Sequence, residues 1–66
     1  MIPGNFVTVT EVHFGVGECG STYILNPGMG GLIIENYYDV GTLLLLVDDN
    51  LVEVRTQAVE LLNGWN

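Results

Sequence analysis

Thr42-Leu43-Leu44-Leu45-Leu46-Val47-Asp48-Asp49-Asn50-Leu51-Val52-Glu53-Val54-Arg55 is the stretch on which the fold turns. Two apolar runs flank Asp48-Asp49-Asn50, a cluster with the chemistry of a tight hairpin turn. Leu51–Arg55 alternates apolar and polar, the two-residue period of a half-buried strand. A helix from Leu51 to Leu62 is the rival reading. Val52, Val54 and Val59 are β-branched and the turn lies just upstream, so strand is expected. Leu43–Val47 is apolar at every position. Side chains alternate across a strand, so an unbroken apolar run needs cover on both faces. One face meets the core. The other expects a neighbouring subunit, or the segment 13–30 folded over it.

Downstream, Thr56-Gln57-Ala58 reads as a short link of 3₁₀ type, Val59–Leu62 as the last strand and residues 63–66 as a tail. Upstream, Asp39-Val40-Gly41 turns the chain and Gly31–Tyr37 is a strand. Phe6–Val12 is the first strand, after turn chemistry at Pro3-Gly4-Asn5. His13–Gly30 is Gly-rich and reads as one long loop. It holds a short strand-like piece at Tyr23-Ile24-Leu25 and a turn at Asn26-Pro27-Gly28. The expectation is an all-β fold: one domain over residues 1–66, built as a small five-stranded, strongly bent antiparallel barrel.

A chain of 66 residues buries only about 60% of its unfolded surface, and one small core supplies few kcal/mol. Disulfides, a metal or a partner chain usually make up the difference. Cys19 is the only cysteine, so no internal disulfide can form. Cys19 and His13 are the only soft ligands, and two ligands do not close a tetrahedral site. No cofactor is expected. Hydrophobic residues make up 48% and charged residues 14% of the chain, so burial against a partner is the remaining route.

Eight acids face one base, Arg55, for a net charge of -7. Nucleic-acid binders carry a basic footprint, so DNA is not an expected partner. The acidity fits an apolar self-associating chain kept in solution, or a basic partner. The longest apolar stretch is too short to cross a bilayer, and Met1-Ile2-Pro3-Gly4 lacks the basic and apolar regions of a leader. No membrane partner is expected, and a free cysteine fits a reducing cytoplasm, that of the host cell if the protein is viral.

Gly15-Val16-Gly17-Glu18-Cys19-Gly20 has the spacing G-x-G-x-x-G. That pattern holds a dinucleotide only when a helix follows, and Ser21–Leu25 is β-like. A sharply turned loop is expected instead. No nucleophile, base and orienting group stand out together, so the chain is not expected to be an enzyme. Tyr37-Tyr38 and Trp65 are candidates for stacking on bases or a partner, or for packing. Arg55 is a candidate for an ion pair with Glu53 or Asp39.

The C-terminal half resembles the Sm-like (Lsm) family. The second motif of that family, roughly I-R-G-N-x-V-x-x-I, is followed by Val54-Arg55-Thr56-Gln57-Ala58-Val59-Glu60-Leu61-Leu62, with Thr56 for the glycine and Gln57 for the asparagine. The first, roughly G-x-L-x-x-x-D-x-x-M-N-x-x-L, is matched from Gly30 to Leu43 at the glycine and both leucines. Asn36 stands for the aspartate, Asp39-Val40 for the Met-Asn pair, and Tyr38 where the family often carries a stacking residue. The resemblance implies a closed homo-oligomeric ring of about five to seven copies, in which the fourth strand of one copy pairs with the fifth of the next. Its interface would draw on Leu51, Val52, Val54, Val59, Leu61 and Leu62. It also implies single-stranded RNA at the inner rim, held by Tyr38, Arg55, Asn36 and Gln57, with Val40 unable to read a base. The long segment after the first strand is equally a feature of SH3-like barrels. That alternative implies a protein-interaction module or accessory inhibitor docking on a host protein. The chain also resembles the short barrel proteins common in phage genomes.

Overall fold

A computed structural model describes residues 1–62; Trp65 and the tail lie outside the described residues. The chain is all-β. Its elements are β1 (Phe6–Val9), β2 (His13–Gly17), β3 (Thr22–Leu25), β4 (Gly30–Tyr37), β5 (Thr42–Val47), β6 (Asn50–Arg55), a 3₁₀ turn (Thr56–Ala58) and β7 (Val59–Leu61). All seven strands form one antiparallel sheet in the order β3-β2-β6-β5-β4-β1-β7.

The β5–β6 hairpin is the centre of this sheet. Val47 pairs with Asn50 across a two-residue turn. Asp48 and Asp49 both adopt positive φ, 50° and 65°, which matches the twist of the flanking strands and which Asp tolerates better than most residues. The Asn50 side-chain amide donates to the Asp48 carbonyl at 2.9 Å and ties the turn to β6. Along β5, Leu43, Leu45 and Val47 are buried, while Thr42, Leu44 and Leu46 are half-buried on the opposite face. The inner set packs with Val7, Val9, Leu25, Ile33, Val52, Val54 and Val59 into a single core.

β4 bends at a bulge. Ile33 opposes Leu45 and Glu35 opposes Leu44, so Ile34 is the extra residue. A bulge sharpens twist, and here it lets one strand serve both β5 and β1. β1 then pairs with β7.

The rival helix over 51–62 does not form: two strands flank the 3₁₀ turn at Thr56–Ala58. Three expectations are corrected. Among the described residues the strands number seven rather than five. The first strand ends at Val9 rather than Val12. The barrel is also not closed, because β3 and β7 are the two ends of the sheet rather than neighbours.

The added strands come from the Gly-rich segment, which is a hairpin and not a long loop. β2 pairs with β3 from His13↔Leu25 to Val16↔Thr22. It also pairs with the outer edge of β6, at Val16↔Glu53 and Gly17↔Val52. Gly15 shows why glycine stands here. A Cβ at this buried position would collide with Val52 Cγ1 and sit 3.1 Å from the Glu53 carbonyl oxygen. The glycine marks a close approach of β2 to β6, and it does not break the strand. The G-x-G-x-x-G stretch therefore runs along β2 into a sharp turn, where the Gly17 N–H donates to the Ser21 carbonyl at 2.7 Å. The hairpin lands on the edge of β6. Val16, Gly17 and Glu18 of that hairpin flank Leu44 of β5 across a shallow groove.

Candidate functional site

Register places three transverse rows on the outer face of the sheet. Phe6, Leu32, Leu46 and Leu51 are successive cross-strand partners on β1, β4, β5 and β6. Glu35, Leu44, Glu53 and Val16 form the next row. Tyr37, Thr42 and Arg55 form the third. Phe14 and Ile24 face each other on β2 and β3, two residues along from the Val16 row and so on the same face. Phe6, Phe14, Val16 and Ile24 are each more than half exposed, at 54%, 64%, 53% and 60%. Isolated apolar side chains on a surface are ordinary; here Phe14, Val16 and Ile24 neighbour one another on β2 and β3, and Phe6 lies across the sheet on β1, beside Leu32. Two shallow grooves cross it. One is lined by Phe6, Leu32, Leu46 and Leu62 together with Asp48. The other is lined by Val16, Leu44 and Leu51 together with Glu18 and Glu53.

At one end of this face the β4–β5 turn builds a third groove, lined by Asn36, Tyr37, Tyr38, Asp39, Val40 and Glu53. The Val40 and Gly41 N–H groups both donate to the Tyr37 carbonyl, closing the turn and holding Tyr38 outward with 72% of its surface exposed. Glu53 reaches the groove from β6 and accepts the Thr42 hydroxyl at 2.8 Å. The Thr56 N–H donates to the Gly41 carbonyl at 3.0 Å, so the start of the 3₁₀ turn is tied to the same end of the sheet.

These bonds bring Tyr38, Arg55 and Gln57 to one end of the sheet, with Tyr38 and Gln57 on the turns and Arg55 at the end of β6. Asn36 lies there too, but its amide donates to the Met1 carbonyl at 2.7 Å and holds the N-terminus. Arg55 is exposed and donates its main-chain N–H to His13 Nε2 at 3.2 Å. Among the described residues it makes no ion pair with Glu53 or Asp39, and Glu53 accepts the Thr42 hydroxyl. Cys19 is exposed in the β2–β3 turn, at the opposite end of β2 from His13. No group of three or more His, Cys, Asp or Glu side chains converges among the described residues. Nor is any helix there long and apolar enough to cross a membrane.

The six residues that the Sm-like resemblance assigns to an interface divide by face. Val52, Val54 and Val59 are 0%, 1% and 6% exposed and belong to the chain's own core. Leu61 and Leu62 are exposed and Leu51 is half-buried. The edge of β6 on which ring pairing would rest is taken at Val52 and Glu53 by β2. The strands left at the ends of the sheet are β3 and β7.

No family model, curated protein or solved structure matches the chain.

The sequence reading gives Phe6, Phe14, Val16, Ile24 and Leu32 no surface role, although it expects the second face of Leu43–Val47 to need cover. The available signal was the parity of Leu43–Val47: once its odd positions are assigned to the core, Leu46 and every partner in its row must face outward.

Proposed function

We propose that this chain is a binding protein that assembles with copies of itself through the outer face of its sheet. The row Phe6-Leu32-Leu46-Leu51 carries the reading. It spans four neighbouring strands, is wholly apolar and lines open surface among the described residues. Two such faces stack about 10 Å apart with side chains interdigitated, as in a sandwich of sheets. Stacking would add buried apolar surface to a 66-residue chain whose own core is small. The ring implied by the Sm-like resemblance would be reached by a different contact, since β2 occupies the edge of β6. A second reading, docking on a basic segment of another protein, is favoured by the net charge of -7.

Leu46→Glu tests the proposal. Leu46 lies outside the core on the central strand of the face, so a charge there should leave the fold standing and block stacking. The expected outcome by light scattering is a single-chain mass for the variant with a retained β-sheet circular dichroism spectrum, beside a multiple of that mass for the unaltered chain. Equal masses for the two would contradict it.

A further inference from the structure

The groove at the β4–β5 turn has the make-up of a cation site. Tyr37 and Tyr38 offer aromatic faces, Val40 an apolar wall, and Asp39 and Glu53 two carboxylates. All of its lining residues are uncharged or acidic, so the same carboxylates repel phosphate. A guanidinium fits these features better than an ammonium ion does. It is planar, stacks on aromatic rings and pairs with a carboxylate through parallel N–H donors.

The chain contains one lysine or arginine, Arg55. It shares a cross-strand row with Tyr37 through Thr42, so its main chain lies two strand spacings, about 10 Å, from that edge of the groove. The lone cation and the acidic aromatic groove are thus neighbours on one surface, the same surface that bears the apolar rows. A two-fold axis lying between the two faces and running along β5, midway between the patches, would bring each patch opposite its complement on the other copy. We infer that Arg55 of one copy seats in the Tyr37–Tyr38–Asp39–Glu53 groove of a second copy, and reciprocally, in an isologous dimer. This rests on the self-assembly reading and adds its register. The apolar row Phe6-Leu32-Leu46-Leu51 supplies buried area, and the two reciprocal Arg55 contacts fix how the faces meet.

Glu53 of the groove accepts the Thr42 hydroxyl, and the Arg55 main-chain N–H donates to His13 Nε2 at 3.2 Å.

Two charge-reversed variants test it, both at exposed positions. Arg55→Glu would aim a carboxylate at an acidic groove in both directions and should dissociate the dimer. Truncating one partner of a desolvated charge pair typically weakens association by about 30-fold or more. Asp39→Arg should weaken assembly by placing an arginine where Arg55 must enter. In an equimolar mixture of the two variants, one contact regains its native Arg55–Asp39 partners. The other sets the introduced glutamate against the introduced arginine, so opposite charges meet at both. Native mass spectrometry should then show a mixed dimer that exceeds either homodimer. Arg55→Lys, which keeps the charge and loses the planar stack, should fall between the unaltered chain and Arg55→Glu. If Arg55→Glu assembles as tightly as the unaltered chain while Leu46→Glu does not, the faces stack but the groove is not the seat of Arg55, and the inference is overturned. A mixture with no gain of mixed dimer overturns it as well. If the unaltered chain is monomeric, the self-assembly reading fails first, before any variant is needed.

Discussion

Gly15→Val should cost about 3 kcal/mol, a large share of the stability of the fold, by forcing β2 off the edge of β6. A 66-residue domain typically holds about 3–10 kcal/mol in total. Even one added carbon at Gly15 would collide with the Val52 side chain and lie 3.3 Å from Val54 Cγ1, and both valines are core residues. Overpacking of this kind costs about 1–3 kcal/mol, and the upper end applies where the neighbours are backbone and fully buried branched side chains. The strand can relieve the clash only by leaving, which breaks the Val16↔Glu53 and Gly17↔Val52 pairings and uncovers Leu25. The expected result is a drop in melting temperature of roughly 10–20 °C. In hydrogen exchange, the amides of β2 and β3 should lose protection before those of β4 and β5. Uniform loss across the sheet, or no loss, would mean that the hairpin is not seated as described.

Leu45→Ala should have a comparable or larger effect by a different route. Leu45 is fully buried at the middle of β5, between Ile33 on β4 and Val52 on β6. Removing its three outer carbons leaves a cavity at the centre of the core. Such truncations cost about 2–5 kcal/mol, enough to leave a domain of this size largely unfolded at body temperature. Leu46→Ala, one residue along on the outer face, provides the contrast. In the single chain its methyl groups line an open groove, so the cost at concentrations where the chain is monomeric should stay below about 1 kcal/mol. Urea denaturation of the two variants compares the two faces of one strand directly. Equal losses at Leu45 and Leu46 would show that both faces are covered within a single chain.

The sequence carried the centre of the fold well. The turn at Asp48-Asp49, the alternation of Leu51–Arg55 and the β-branched residues against helix led to the β5–β6 hairpin and the 3₁₀ turn. Each of these signals is local, and local chemistry decided the outcome. The Gly-rich segment misled for a definable reason. Gly15 looks like loop composition until its neighbour is known, and the neighbour, Val52, lies 37 positions away. The bulge at Ile34 is similarly silent, since an apolar residue within an apolar strand gives no sign that it lacks a partner.

The candidate site was legible in part. Tyr38, Arg55 and Gln57 do lie at one end of the sheet. Asn36 is committed to the Met1 carbonyl, a contact between residues 35 positions apart that no spacing rule reports. The Sm-like resemblance implies Val52, Val54 and Val59 at an interface through strand pairing between copies, whereas the sheet places their side chains in the chain's own core. The unbroken run Leu43–Val47 was the informative feature throughout. It demanded cover on two faces, and the fold supplies it fully on one.

Sedimentation equilibrium of the unaltered protein, from low micromolar to near-millimolar concentration, tests the central claim most directly. The account predicts a whole-number multiple of the chain mass at the upper concentrations, with single chains appearing on dilution. A single-chain mass across the whole range would contradict it, because the outer row Phe6-Leu32-Leu46-Leu51 would then stand uncovered in a stable molecule.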